Sequence, residues 1–271
     1  MSGAAGLAAG LLVAALVART RLASPPPALV RANVAGRAVP AVLGDGIAAG
    51  SITGLLLVAA WADALGFRTA TSLAVAVALM WAAGRFDDLR GNERERGFKG
   101  HLAAARAGAL TGGLVKIAAG VAAGLSGGII IAGGIELAFV VEAGLLAALT
   151  ANLVNLLDRA PGRALKVWFG LALPLFILGP RAWAGAAAGM LGAALAVFPA
   201  DLREKGMLGD AGANALGIAL GLGFAVSLGE PARIGAIVAL LALTLASERW
   251  SFSNAIESVR LLHALDRLGR K

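Results

Sequence analysis

A dense charged segment, residues 85–101, lies between two apolar runs and reads RFDDLRGNERERGFKGH. It contains the adjacent carboxylates Asp87 and Asp88, and its basic residues continue to Lys99. Carboxylates beside cations are the groups that bind a divalent metal ion and a phosphorylated ligand. A solvated loop whose arginines only orient a membrane protein is the alternative. We favour a ligand site for the two aspartates, because like charges side by side at a membrane surface are costly unless a cation or a partner offsets them.

A second polar group consists of Asn152, Asn155 and Asp158, each three residues after the one before. On a helix these positions share an arc of about 120°, so one polar face points into the bundle. Polar contacts between membrane helices are the alternative explanation for the asparagines. Arg159 and Arg163 follow Asp158 closely and favour an anionic ligand.

Asp210 is the third candidate, and it lies between Gly209 and Gly212 where an apolar run begins. Glycine lets a backbone approach a ligand closely, and a helix start near Lys205 could hold a phosphate and its metal ion. A simple helix N-cap is the alternative for Asp210. Asp201, four residues before Lys205, could serve only to pair with that lysine.

The elements that must position these residues are membrane helices. Of the 271 residues, 59% are hydrophobic and 15% charged, and the mean hydropathy is +0.82. These values predict an all-α, polytopic transmembrane bundle in the lipid bilayer. The absence of cysteine excludes disulfides and thiolate metal sites. The net charge of +8 is spread over short loops, which favours a role in membrane orientation and argues against a nucleic-acid partner.

Apolar runs predict about nine spans. Their approximate ranges are 3–18, 41–66, 69–84, 103–126, 135–157, 164–179, 182–198, 211–228 and 232–247. Arg19 and Arg21 follow the first run and no basic residue precedes it, which predicts an external N-terminus and an uncleaved first span. With this orientation all but four of the 24 Lys and Arg residues belong to the inner side; the exceptions are Arg68, Lys116, Arg181 and Arg233.

Residues 1–247 are therefore expected to form one membrane domain, and residues 248–271 a cytoplasmic amphipathic tail. The tail carries apolar residues at helical spacing: Ile256, Val259, Leu262 and Leu265. Pro40 is expected near the first turn of the second span. Three ionisable residues in or near spans are expected to face the protein interior, without an assigned role: Lys116, Glu136 and Glu142. Glycines at small-xxx-small spacing permit close helix packing and a homodimer, without requiring one.

Three motifs in this order resemble one family. They are FDDLRG at 86–91, NLVNLLD at 152–158 and MLGDAGAN at 207–214. They are similar to the cytoplasmic signatures of polyprenyl-phosphate N-acetylhexosamine-1-phosphate transferases, in glycosyltransferase family 4, over roughly residues 33–220. The resemblance implies transfer of a phospho-sugar from a UDP-N-acetylhexosamine to polyprenyl phosphate, such as undecaprenyl phosphate, with release of UMP. It also implies Mg²⁺, with Mn²⁺ possible, and an active site at the cytoplasmic face of the cell membrane, in cell-wall (peptidoglycan) biogenesis.

By the same resemblance, Asp210 holds the metal ion and Asn155 can join it. Asp87 and Asp88 border the metal and the acceptor phosphate, and Asp158 completes a group of acids around one pocket. The first aspartate of the pair is often proposed as a base in this family. We prefer positioning and metal balance for both, because a phosphate monoester has a second pKa of about 6 and is already mostly dianionic. The expected substrate-binding residues are Lys99, Asn152, Arg159, Arg163, Lys205 and Asn214.

The sequence also departs from the family pattern. Relatives continue the second signature as Asp-Gly-x-Asp-Gly, whereas Pro161 stands at the second aspartate position here. Relatives carry a histidine-rich loop before a last span, whereas this chain has a lone His263 in its tail and no such span. The donor sugar is therefore open. The alternatives are a non-catalytic relative that binds a lipid-linked or nucleotide ligand or organises envelope assembly, and a small-solute transporter that uses Lys116, Glu136 and Glu142.

Overall fold

The computed structural model describes residues 2–33, 36–90 and 112–270. Within these ranges helices predominate, and two short strands form the one sheet. The helices are α1 (Ser2–Ala23), α2 (Leu43–Ala59), α3 (Ala64–Arg90), α4 (Gly112–Ala132), α5 (Leu137–Leu157), α6 (Arg163–Leu178), α7 (Arg181–Leu202), α8 (Gly209–Ser227), α9 (Glu230–Ser247), α10 (Phe252–Ser258) and α11 (Arg260–Arg267). The strands β1 (Val30–Ala32) and β2 (Ala38–Pro40) pair antiparallel, with Val30 opposite Pro40.

The long helices confirm the prediction of an all-α, multi-pass membrane protein. Within the described ranges, seven helices are long and apolar enough to cross a bilayer, namely α1, α3, α4, α5, α7, α8 and α9. The other two helices that match predicted runs are shorter: α2 has 17 residues and α6 has 16. Each of the nine predicted apolar runs overlaps one of α1–α9.

Two local predictions are wrong, one at residue 85 and one at Glu136. The run 69–84 is expected to end where the charged segment begins, but α3 continues to Arg90 and keeps Asp87 and Asp88 in its last turn. Pro40 is near the first turn of α2, as expected; it lies in β2, three residues before α2 begins at Leu43. Glu136 does not face the interior, because it is exposed just before the first turn of α5.

Glycines let α1, α2 and α7 approach with their backbones in contact. A Cβ added at Gly50 would lie 2.4 Å from the carbonyl oxygen of Gly10, and one added at Gly54 would lie 2.6 Å from the Cα of Gly189. Such contacts replace hydrophobic driving force as the source of packing between membrane helices. The glycine face of α2 that sequence reasoning offered to a homodimer therefore packs inside a single chain.

Helix α8 lies at the centre of the bundle and α9 at its edge. Of the apolar stretch that could span a membrane, 78% is buried in α8 but only 6% in α9. Helices α2, α3, α5 and α6 all pack against α8. The residues at the start of α8, including Asp210, are consequently surrounded by the ends of several other helices.

Candidate functional site

The end of α3 and the start of α8 meet with no room for side chains between their backbones. A Cβ added at Gly84 would lie 2.4 Å from the carbonyl oxygen of Asp210, and one added at Gly44 would lie 2.5 Å from the amide nitrogen of Gly212. The first turns of α2 and α8 and the last turns of α3 are thus in contact at one point. This contact brings the first and third sequence motifs together.

Asp88 caps the N-terminus of α8. Its carboxylate accepts hydrogen bonds from the backbone N–H groups of Asp210, at 2.9 Å, and of Ala211, at 3.1 Å. The first N–H groups of any helix lack partners within that helix, and a negative charge there also complements the helix dipole. The capping role that the sequence offered to Asp210 therefore belongs to Asp88, which lies 122 residues earlier in the chain.

Lys116 joins the first and third motifs electrostatically. Its ammonium nitrogen lies 2.6 Å from a carboxylate oxygen of Asp87 and 2.7 Å from one of Asp210. The three side chains are only 20%, 26% and 27% exposed, so little water screens these charges. Sequence analysis correctly placed Lys116 in the interior but did not find these partners. The signal was a lysine inside an apolar helix, which requires a counter-charge.

A second buried ion pair supports Asp88 from the other side. Arg85 donates a hydrogen bond to Asp45 and lies 3.5 Å from the carboxylate of Asp88. Asp45 is only 6% exposed, accepts a 3.0 Å hydrogen bond from Trp81, and forms an ion pair with Arg21 at 3.0 Å. Sequence reasoning did not select Asp45 or Arg85, although an aspartate in the apolar second span was a visible signal.

Asp158, from the second motif, directly follows α5 and lines a cleft of about 180 Å³. Burial raises the pKa of this carboxyl well above its usual range, and the negative charges of Asp201, Asp210 and Asp88 raise it further. Only Arg159 among the contributing groups lowers it. Asp87, Asp88 and Asp210 are not among the described residues that line this cleft, so the acids of the three motifs do not share its wall.

The remaining walls of this cleft come from the hairpin and from the turn between α7 and α8. Asn33 donates a hydrogen bond of 2.6 Å to Glu204, and Arg37 forms an ion pair with the same carboxylate. Asp201, which is 3% exposed, accepts a 3.1 Å hydrogen bond from the N–H of Gly162. Asp201 and Glu204 are cleft residues that sequence reasoning did not assign to the site.

The predicted substrate-binding residues are dispersed. Arg159 lines the cleft, and Lys205 is exposed at the same end of the bundle. Asn214 donates to the carbonyl of Asp210 in its own helix, at 2.7 Å, and Asn152 donates to Thr244 of α9, at 3.2 Å. Arg163 is 4% exposed, and its guanidinium binds the carboxylate of Asp266. Lys99 lies outside the described residues.

The polar residues of the transporter alternative do not form one pathway. Lys116 lies near the start of α4, at the end of the bundle that carries the cleft. Glu142 lies near the start of α5, at the opposite end, where it forms an ion pair with Arg233. Glu136 is exposed. These placements leave the three residues apart from one another.

Within the described ranges, no group of three or more histidine, aspartate or glutamate side chains is arranged to hold a metal ion. The donor types nevertheless fit magnesium, because Asp87 and Asp210 offer hard oxygen ligands that both lie within 2.7 Å of one nitrogen. Asn155, half-buried in the last turns of α5, would add an amide oxygen. The ammonium of Lys116 provides the positive charge between the two carboxylates in this arrangement.

The fold and this site define a multi-pass helical membrane protein with a cluster of acidic and basic side chains at one end of the bundle. No protein-family model matches the chain, and no curated protein matches it either.

Proposed function

We propose that this chain is a membrane phospho-sugar transferase. It moves a phospho-N-acetylhexosamine from a UDP-sugar to a polyprenyl phosphate, such as undecaprenyl phosphate, and releases UMP. The observation that carries the proposal is the contact between the first and third motifs: Asp88 caps the helix of Asp210, and Lys116 lies between Asp87 and Asp210. The order and spacing of the three motifs in the sequence resemble those of the transferase family.

The proposed topology has nine spans, α1–α9, with an external N-terminus. The end of the bundle that carries Asp88 and Asp210 then faces the cytoplasm of a plasma membrane. The excess of basic residues in the loops at that end supports this orientation. Both proposed substrates are available there, since a nucleotide sugar is soluble and a polyprenyl phosphate presents its head group at the membrane surface.

The proposed reaction forms one phosphorus–oxygen bond and breaks another. An oxygen of the lipid phosphate attacks the phosphorus that carries the sugar. The bond from that phosphorus to the bridging oxygen of the diphosphate breaks, and UMP leaves with the electron pair. A strong base is not required, because a phosphate monoester with a second pKa of about 6 is mostly dianionic at neutral pH. Asp87 and Asp88 therefore act by position: Asp88 fixes the start of α8, and Asp87 holds Lys116.

Bringing two anionic phosphates together requires positive charge in a site with little water. Lys116 supplies one such charge between α3 and α8, and Arg159 supplies another on the cleft wall. Asp210, Asp87 and Asn155 are the residues that would hold a magnesium or manganese ion. When bound, such an ion would neutralise charge on the phosphates.

The test is UMP release by the purified full-length protein from several UDP-N-acetylhexosamines, with undecaprenyl phosphate and magnesium present. We expect release from one donor and its loss in Asp210→Asn. Glu230→Gln is the matched control, because Glu230 is an exposed acid at the opposite end of the bundle, at the start of α9. Absence of UMP release with every donor, from protein that is folded and monodisperse, would overturn the proposal.

A second candidate is a non-catalytic relative that binds a nucleotide or lipid-linked ligand. It is favoured by the arrangement of the acids, because Asp88 is used as a helix cap and Lys116 already forms ion pairs with Asp87 and Asp210. This candidate predicts thermal stabilisation by a UDP-sugar without UMP release. The transferase predicts both.

A further inference from the structure

The C-terminal tail consists of two short helices, α10 and α11, which are fixed to the bundle by buried charges. Arg163, at the start of α6, donates to both oxygens of Asp266 at 2.8 and 2.9 Å and to the hydroxyl of Ser253 at 2.8 Å. Arg270 donates to the carbonyl of Pro161 at 2.7 Å. Bidentate arginine–carboxylate pairs are strong and directional, so they fix the rotation of α11 about its axis.

The tail fills the space that is left because α6 is shorter than its neighbour α7. Helices α6 and α7 are joined by only Gly179 and Pro180, but α6 has 16 residues and α7 has 22. At 1.5 Å per residue, α6 therefore starts about 9 Å short of the level at which α7 ends, and it is itself about 24 Å long. A hydrocarbon core is about 30 Å thick, so α6 is shorter than the core.

Contacts with both helices place the tail in this space. Lys166, in the first turn of α6, donates to the carbonyl groups of Leu265 and Asp266, at 3.2 and 2.7 Å. A Cβ added at Gly269 would lie 2.9 Å from the side chain of Leu202, in the last turn of α7. The tail therefore packs against the first turn of α6 and the last turn of α7.

The outward side of α11 is apolar and has a basic edge. Four leucines on about one third of the helix circumference are 45–68% exposed: Leu261, Leu262, Leu265 and Leu268. Arg260 and Arg267 are exposed together on the adjoining side of the helix, next to Leu268 and away from Leu265. Asp266, the acid of this helix, points inward and is 8% exposed. The outward surface of α11 is therefore apolar and cationic.

The apolar surface continues from α9. That helix is the least buried of the spanning helices, and its Leu241, Leu243 and Leu245 are 42–62% exposed. Trp250, which is 68% exposed, follows α9 directly, and tryptophan is enriched at membrane interfaces. Only four residues separate α9 from α10, so the tail begins at the bilayer that α9 contacts.

We propose that the leucine side of α11 inserts into the interface of an anionic lipid leaflet, while Arg260 and Arg267 contact the phosphate groups. Apolar burial with basic flanks is how amphipathic helices bind membrane surfaces, and each basic residue adds to the attraction of anionic lipid. The tail is thus a membrane-bound support for the turn between α5 and α6, which carries Asp158 and Arg159. This role holds whether or not the protein is an enzyme.

The natural sequence contains no cysteine, which permits clean site-specific labelling. We would place single cysteines at Leu265→Cys and Arg267→Cys in the full-length protein, label each with an environment-sensitive fluorophore, and reconstitute both in lipid nanodiscs. The two positions are both exposed and lie on opposite sides of α11. Leu261→Cys provides a second labelling position on the same leucine side as position 265.

We expect probes at 261 and 265 to emit at shorter wavelength and to be quenched several-fold more by acyl-chain nitroxide lipids than the probe at 267. Quenching at 265 should increase when phosphatidylglycerol replaces phosphatidylcholine. Weak and equal quenching at all three positions in anionic discs would overturn the proposal. Equal quenching at 265 in neutral and anionic discs would overturn the contribution of the arginines.

Discussion

Replacing Lys116 by methionine should destabilise the protein more than any single surface substitution. Methionine keeps the length and apolar stem of lysine but removes the charge that lies 2.6 Å from Asp87 and 2.7 Å from Asp210. Removing one member of a buried ion pair typically costs 3–5 kcal/mol, because the remaining charge stays buried without compensation. These side chains are 20–27% exposed, so partial hydration reduces the expected cost to about 2 kcal/mol.

For a domain of this size, about 2 kcal/mol corresponds to a decrease in Tm of roughly 4–8 °C. The measurement is thermal unfolding of the purified protein in a mild detergent, compared with Lys205→Met. Lys205 is an exposed lysine at the same end of the bundle, so its replacement should leave Tm nearly unchanged.

The decisive variant removes all three charges: Asp87→Asn, Lys116→Met and Asp210→Asn together. If the cost of Lys116→Met comes from uncompensated carboxylates, the triple variant should be more stable than Lys116→Met alone. A triple variant that is no more stable, or a Lys116→Met variant with the Tm of the natural protein, would refute the electrostatic account of this cluster.

Three further predictions concern the same end of the bundle. Asp88→Ala should lower stability by about 2 kcal/mol, the upper end of the range for loss of a helix cap, and Asp88→Asn by about half as much, because an amide oxygen can still accept a hydrogen bond from one of the two N–H groups. Amide hydrogen exchange at Asp210 and Ala211 should become faster in both variants. Unchanged exchange would contradict the capping role of Asp88. Gly84→Ala should lower Tm or yield, since its Cβ would lie 2.4 Å from a backbone oxygen of Asp210, whereas Gly235→Ala should be tolerated because none of the described atoms lies within 4 Å of its added Cβ. Burial and neighbouring negative charges raise the folded-state pKa of Asp158 above its unfolded value of about 3.9, so ionisation of Asp158 destabilises the fold at neutral pH. Asp158→Asn should therefore raise Tm at neutral pH, and this gain in Tm should disappear as the pH falls below the unfolded pKa. A gain in Tm that is constant with pH would show that charge is not its cause.

Hydropathy predicted most of the bundle, because bilayer thickness imposes a length and composition on each span that can be read directly from a sequence. The errors fall where distant residues supply what the local sequence lacks. Helix α3 extends through its charged last turn since Asp88 binds α8 and Arg85 binds Asp45. Neither partner can be identified from the residues around position 85.

The sequence predicted the acidic residues of the candidate site, but it did not predict which cations pair with them. Asp87, Asp88 and Asp210 were recognisable because carboxylates are rare in apolar surroundings. Lys116 lies 94 residues from Asp210 in the sequence, and Arg163 lies 103 residues from Asp266. The residues next to each cation in the sequence therefore did not indicate which carboxylate it pairs with. Arg163 follows Asp158 closely in sequence, but its guanidinium binds the tail.

The cap that Asp88 provides also sets an order of assembly during synthesis. Residues up to Leu157 supply Asp87, Asp88 and Lys116, whereas Asp210 and the helix that needs the cap are made later. The helices made first are therefore in the bilayer before Asp210 and α8, the partners of Lys116 and Asp88, have been translated. A gene divided between α5 and α6 should for this reason give two fragments that are each unstable alone and that stabilise one another when they are inserted into the same membrane.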